Sequence, residues 1–143
     1  MILVTRLLET ASPRPPEAQR VLAAERRQFL KRRWRGTADD GTEFGFDLES
    51  RLVDGGVIHR RDDVDYIVRQ LPETVYQIDF DHPALAALVG WKVGNLHLPA
   101  EVGDGFIRVL HDDAMKQLLD REGWPYSEPV VLFQPLKAMA HAV

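Results

Sequence analysis

Two rhythms of apolar and polar positions divide the chain near residue 70. Before it, apolar residues come in short runs, "ILVTRLL", "RQFLKRRWRGTA", "FGFDL" and "DYIVRQL", punctuated by "DDGTE" and "VDGGV". Short runs bounded by Gly and Asp predict strands. Asp40-Gly41 lies between two alternating runs and predicts a hairpin, because glycine accepts the positive φ of a tight turn. Gly55-Gly56 predicts another turn. "ASPRPPEAQRVLAAER" interrupts this pattern: Pro13, Pro15 and Pro16 fit neither a helix interior nor a central strand, so the segment is expected to be a surface loop.

Beyond residue 70 the rhythm changes. "TVYQIDF" alternates as a strand, and "DHPALAALVGWKV" carries Leu85, Leu88 and Val89 at helical spacing behind Pro83, with Asp81 as the expected N-cap. "HLPAEV" and "FIRVL" follow as strands joined through Gly103-Asp104-Gly105. "DDAMKQLLDREG" then has acidic residues at its start and Gly123 as its stop, and "PVVLFQP" closes as a last strand. The order βαββαβ predicts a ferredoxin-like sheet with two helices on one face. The fold class is therefore α+β: a small β domain over residues 1–70, then a ferredoxin-like domain over 71–143 with a short C-terminal tail.

Composition narrows the function classes. In a chain of 143 residues, an apolar fraction of 45% with mixed charge predicts a globular protein. A net charge of −4 argues against a nucleic-acid binder, and Phe106 alone on the strands "HLPAEV" and "FIRVL" gives little for RNA bases to stack on. Arg6 and Glu9 interrupt the apolar start "MILVTRLLET" before a signal or membrane segment forms, so the expectation is a cytoplasmic protein without membrane association. With no cysteine, any metal must be held by imidazole and carboxylate.

The five histidines, His59, His82, His97, His111 and His141, form none of the tight helical metal spacings. His82, beside the expected cap, and His59, in the charged "IHRRDD", read as solvated surface residues. His97, at the opening of a strand beside a turn, and His111, just ahead of a helix, are the candidates for chemistry. One chain offers too few donors, but a two-fold dimer turns one histidine near its axis into a pair. The pairs Asp39/Asp40, Asp62/Asp63 and Asp112/Asp113 fall in a turn, a charged loop and a helix start, where structural roles suffice. Without a nucleophile motif, phosphate loop or dinucleotide fingerprint, no enzyme is expected. The run "RRQFLKRRWR" reads first as an edge strand guarded by charge and second as a surface for an acidic partner.

"GWKVGNLHLPAEV" followed by "RVLHDDAMKQLLDREGW" resembles the UreE family of urease accessory proteins, and "ERRQFLKRRWRGTADDGTEFGFDLESRLVDGGVI" is similar to that family's N-terminal, peptide-binding-like β domain. The resemblance implies a nickel metallochaperone acting on urease apoprotein with other urease accessory proteins. It makes His97 the principal ligand, one from each protomer of a homodimer sharing one Ni2+, with Zn2+ or Cu2+ able to substitute. It also implies a secondary site at an H-x-H pattern, whose first position is His111 and whose second falls on Asp113, a harder donor. Leu96 stands where the motif usually carries arginine. The tail is not histidine-rich: "KAMAHAV" leaves His141 as the one tail ligand. The alternative is a metal-free adaptor that holds partner proteins on its basic strand and its "LVGW" surface.

Overall fold

The computed structural model describes residues 1–137. His141 lies outside the described residues. The chain forms two units, Met1–Leu71 and the part from Pro72 onward. No helix among the described residues is long and apolar enough to cross a membrane.

The first unit contains two three-stranded sheets. One has β1 (Ile2–Val4) beside β4 (Glu43–Asp47) and β3 (Arg33–Thr37) at the far edge; the other has β2 (Gln19–Ala24) beside β6 (Val64–Gln70) and then β5 (Val57–Arg61). β3 and β4 form the expected antiparallel hairpin around Gly41, whose φ is +88°. β1 pairs with β4, and β2 with β6, in parallel. Leu22, Phe44, Tyr66 and Val68 fill the core, with Trp34 stacked on Phe46 at 4.0 Å between ring centres.

The expected surface loop is a correction. Its second part is β2, and Leu22 and Ala24 are buried in the core. The alternation of Val21, Leu22, Ala23 and Ala24 is short and alanine-rich, so the strand is specified mainly by its distant partner β6. "RQFLKRRWRGTA" is likewise not one strand. Arg26–Phe29 is a helical turn, α1, closed by a capping box between Glu25 and Gln28, and β3 begins only at Arg33.

The loop preceding β2 is tied down by a buried carboxylate. Asp65 on β6 is fully buried and receives Arg60 Nε at 2.6 Å, Arg60 Nη2 at 3.0 Å, Arg14 Nε at 2.9 Å and Ser12 Oγ at 2.6 Å. The hydrogen bond from Arg60 dominates in holding this carboxyl down at about 2. His59 also differs from expectation: it is half-buried against Phe44 and Tyr66, and burial, followed by Arg61, lowers its pKa.

The second unit is an antiparallel sheet in the order β10 (Val130–Val131), β7 (Glu73–Asp79), β9 (Phe106–Leu110), β8 (Ala100–Gly103). With α2 (Pro83–Gly94) and α3 (Asp113–Glu122) this is the ferredoxin-like βαββαβ arrangement. Tyr76, Ile78, Ile107 and Val109 face Val89 and Val93 of α2 and Met115, Leu118 and Leu119 of α3 in the second core. Asp112 caps α3 by accepting Ala114 N–H at 2.8 Å, and Gly123 ends it in the left-handed conformation, φ +70°. For α2 the cap is His82 rather than Asp81: its Nδ1 accepts Leu85 N–H at 3.2 Å.

The chain after β10 crosses the sheet face opposite the helices, where Glu101 pairs with Arg108. Phe133 is fully buried, Gln134 N–H donates to Glu101 Oε1 at 3.0 Å, and Leu136 N–H donates to the Ala100 carbonyl at 2.8 Å. The C-terminal segment thus leaves from one edge strand and reaches the other.

Candidate metal site

His97 lies three residues ahead of β8, in the turn that ends α2, not at the strand's opening. The helix finishes in tightened turns, with Leu96 N–H donating to Val93 at 3.0 Å and His97 N–H to Gly94 at 3.3 Å. His97 then adopts a left-handed backbone, φ +56°, a conformation few side chains other than those of Asn, Asp and His enter readily. That reversal lets Leu96 and Leu98 both pack on the core while the residue between them stays exposed. The imidazole is therefore carried outward on a backbone pinned at both sides, a side chain with a fixed base and an open approach. Leu96, where the motif usually has arginine, acts as one of these anchors.

α2 supplies the surroundings. It is apolar on nearly every side, and only Val89 and Val93 are buried. Leu88 and Trp91 remain exposed, Trp91 by 67%. Lys92 is the basic residue of the last turn, and Glu122 of α3 holds its ammonium group. The side chains close to His97 along the chain are thus mostly apolar.

His111 is engaged elsewhere. Its Nε2 is 2.7 Å from Glu128 Oε1, and its ring stacks on Tyr76 at 4.3 Å. Burial, followed by the charge of Glu128, raises the pKa of the Tyr76 phenol. Asp113, the other residue of the H-x-H position, is exposed in the first turn of α3. The carboxylate that meets His111 is Glu128, which no spacing in the sequence links to it. Among the described residues no group of three or more His, Asp or Glu side chains converges as a metal site.

Sequence comparison bears directly on this arrangement. The family model for the C-terminal domain of the UreE urease accessory protein matches residues 73–142. The urease accessory protein UreE of Alkalilimnicola ehrlichii is 32% identical over 137 residues, covering 94% of this chain and 82% of that protein. The chain belongs to the UreE family. Similar proteins of the same name occur in Chelativorans sp., 32% identical over 79% of this chain and 70% of the relative, and in Pseudomonas putida GB-1, 32% identical over 74% and 66%. As a UreE-family member the chain is an accessory protein and not an enzyme. The family match spans α2, the His97 turn, His111 and α3 together.

Proposed function

We propose that this protein is a nickel metallochaperone. In this reading it is a homodimer that binds one Ni2+ between the His97 imidazoles of its two protomers and delivers it to urease apoprotein during metallocentre assembly, alongside other urease accessory proteins in the cytoplasm. The observation that carries the reading is the left-handed turn at His97, which presents an exposed imidazole between two core-anchored leucines beside an unpartnered apolar helix face.

Imidazole binds late first-row divalent ions well. A pair of imidazoles leaves the rest of the coordination sphere to exchangeable ligands, which suits capture followed by transfer; a closed four-ligand cage would retain the ion. Zn2+ and Cu2+ fit the same donors, so selection rests on supply and partner rather than on the site alone. The dimer rests on α2: the exposed Trp91 and Leu88 of the helix that leads into the His97 turn are the kind of aromatic and aliphatic anchors that isologous interfaces bury.

His141 adds a tail ligand. The bond from Leu136 to Ala100 returns the chain to the strand that His97 precedes. Five further residues reach roughly 17 Å when extended, ample for a tail imidazole to approach the pair. His111 and Asp113 form at most an auxiliary site, for which His111 must exchange Glu128 for the metal.

The test is nickel titration with simultaneous native mass measurement. Wild type binds one ion tightly per dimer, and His97→Ala removes that site. Unchanged nickel affinity in His97→Ala would falsify the shared-histidine mechanism and leave the metal-free adaptor as the leading account.

A further inference from the structure

Aspartate followed by glycine is a step at which a chain can react with itself, because glycine has no side chain to shield its backbone nitrogen. The sequence contains three such steps, Asp40-Gly41, Asp54-Gly55 and Asp104-Gly105. All three sit at turns where the glycine has a positive φ, +88°, +83° and +81°. By sequence they are equivalent. Their hydrogen bonds make them different.

At Asp40-Gly41 both reacting groups are held. Gly41 N–H donates to the Ala38 carbonyl at 2.9 Å, and the Asp40 carboxylate accepts Thr42 N–H at 2.9 Å and the Tyr66 hydroxyl at 2.6 Å. The bond from Tyr66, followed by that from Thr42, holds this carboxyl down at about 2, which keeps its reactive neutral form scarce. Asp54-Gly55 is held as well. Gly55 is buried and its N–H donates to the Val68 carbonyl at 2.7 Å, while Asp54 accepts Gln70 N–H at 2.7 Å.

Asp104-Gly105 lies open. Both residues are exposed, and among the described residues no partner holds the Asp104 carboxylate, the Asp104 carbonyl or the Gly105 N–H. The peptide unit between them can therefore rotate without breaking a hydrogen bond to the rest of the chain. The turn is anchored on its far side, where the Gly105 carbonyl accepts Phe80 N–H at 2.8 Å.

We propose that Asp104-Gly105 is a modification site at which the folded chain isomerises to isoaspartate. The Gly105 nitrogen attacks Asp104 Cγ, a C–N bond forms, and the carboxyl hydroxyl leaves as water with the amide proton. The product is a cyclic imide. Water then adds to either imide carbonyl: opening at Cγ restores aspartate, and opening at the original peptide carbon leaves the chain running through the Asp104 β-carbon. The water lost is regained, and no oxidant or cofactor takes part. The isoaspartyl form carries an extra backbone atom in the turn between Gly103 and Phe106, which pair across the β8–β9 hairpin. This end of the hairpin is tightly packed, since a β-carbon on Gly103 would lie 2.1 Å from the Phe106 ring. Conversion is therefore expected to loosen the pairing there.

The test keeps the full chain for several weeks in warm, neutral water enriched in oxygen-18, so that each imide opening leaves one heavy oxygen in the product. Trypsin then places the three steps in separate peptides, residues 36–51, 52–60 and 93–108. The expected result is label entering 93–108 about tenfold faster than the other two, each of which must first release at least two hydrogen bonds. A second chromatographic form of 93–108 with equal mass accompanies it, and fragment ions place the label at Asp104 rather than at Asn95. In urea the three rates are expected to converge, because the difference belongs to the fold. Asp104→Glu, whose longer side chain closes a larger and slower-forming ring, is expected to stay folded by circular dichroism and to take up no label at this step. Labelling at Asp104 no faster than at Asp40 or Asp54, a difference that survives in urea, or uptake at this step that persists in Asp104→Glu overturns the proposal. No histidine takes part, so the outcome is read independently of nickel binding.

Discussion

Leu136 donates its backbone N–H to the carbonyl of Ala100 at 2.8 Å, and Ala100 is three residues from His97. The strap that makes this bond starts at the opposite edge of the sheet and is anchored on the way by the buried Phe133. The position of Leu136 is therefore set by the sheet. Truncation after Lys137 removes His141 but leaves the strap; it is expected to weaken nickel binding a few-fold without changing one ion per dimer. Truncation after Leu132 also removes Phe133 and is expected to lower the melting temperature, since losing a fully buried phenylalanine costs about 3–5 kcal/mol. Calorimetry and nickel titration of both truncations distinguish the two effects.

His97 offers a second test, because its backbone and side chain serve different ends. Glycine adopts φ +56° without strain and alanine does not. His97→Gly is expected to be more stable than His97→Ala by about 1 kcal/mol while both lack the tight metal site. Urea unfolding beside nickel titration checks this. If alanine proves the more stable, the turn is not held left-handed in solution.

The exposed face of α2 predicts the assembly. Trp91→Glu is expected to yield monomers with an unchanged circular dichroism spectrum, because Trp91 is 67% exposed in the single chain and supports little of its core. In the proposed mechanism the same variant loses tight nickel binding although every histidine remains. Sedimentation velocity that still shows a dimer would place the interface elsewhere.

The first unit carries an acid-sensitive lock at Asp65. Its pKa is depressed to about 2 in the folded chain, so its contribution to stability is complete above the unfolded carboxylate range and is lost as pH falls from about 4 towards 2. The lowered pKa of His59 acts earlier: the folded unit favours neutral imidazole, so stability falls once pH drops below about 6.5. Asp65→Asn is expected to cost about 3 kcal/mol near neutrality and to flatten the acid limb below pH 4. His59→Gln should leave that limb intact and remove the shallower one. Urea midpoints measured across pH give both slopes.

What the sequence made legible follows the range over which each element is decided. The hairpin at Asp40-Gly41, the acidic start of α3, its stop at Gly123 and the βαββαβ order are local and were readable from turn chemistry and periodicity. β2 was not: nothing within Gln19–Ala24 announces a strand as clearly as its pairing with Val64–Gln70 does. The candidate site divides in the same way. "GNLHLP" marked His97, but not the left-handed turn or the leucine anchors that expose it. Glu128 was invisible as the partner of His111, since a contact across 17 residues between a strand end and a later loop leaves no trace in spacing.

The two parallel pairings of the first unit bear on the order in which a ribosome delivers the chain. β1 finds its partner only when Glu43–Asp47 has been made, and β2 only when Val64–Gln70 has followed. Until then Leu22 and Ala24, which end fully buried, have no sheet to join, whereas β3 and β4 can already close their hairpin and take up β1. The first sheet can therefore be complete while the second still lacks β6, and that last strand, pairing with β5 across a short turn and with β2 in parallel, completes the second sheet and gives Leu22 and Ala24 their place in the core at a single moment.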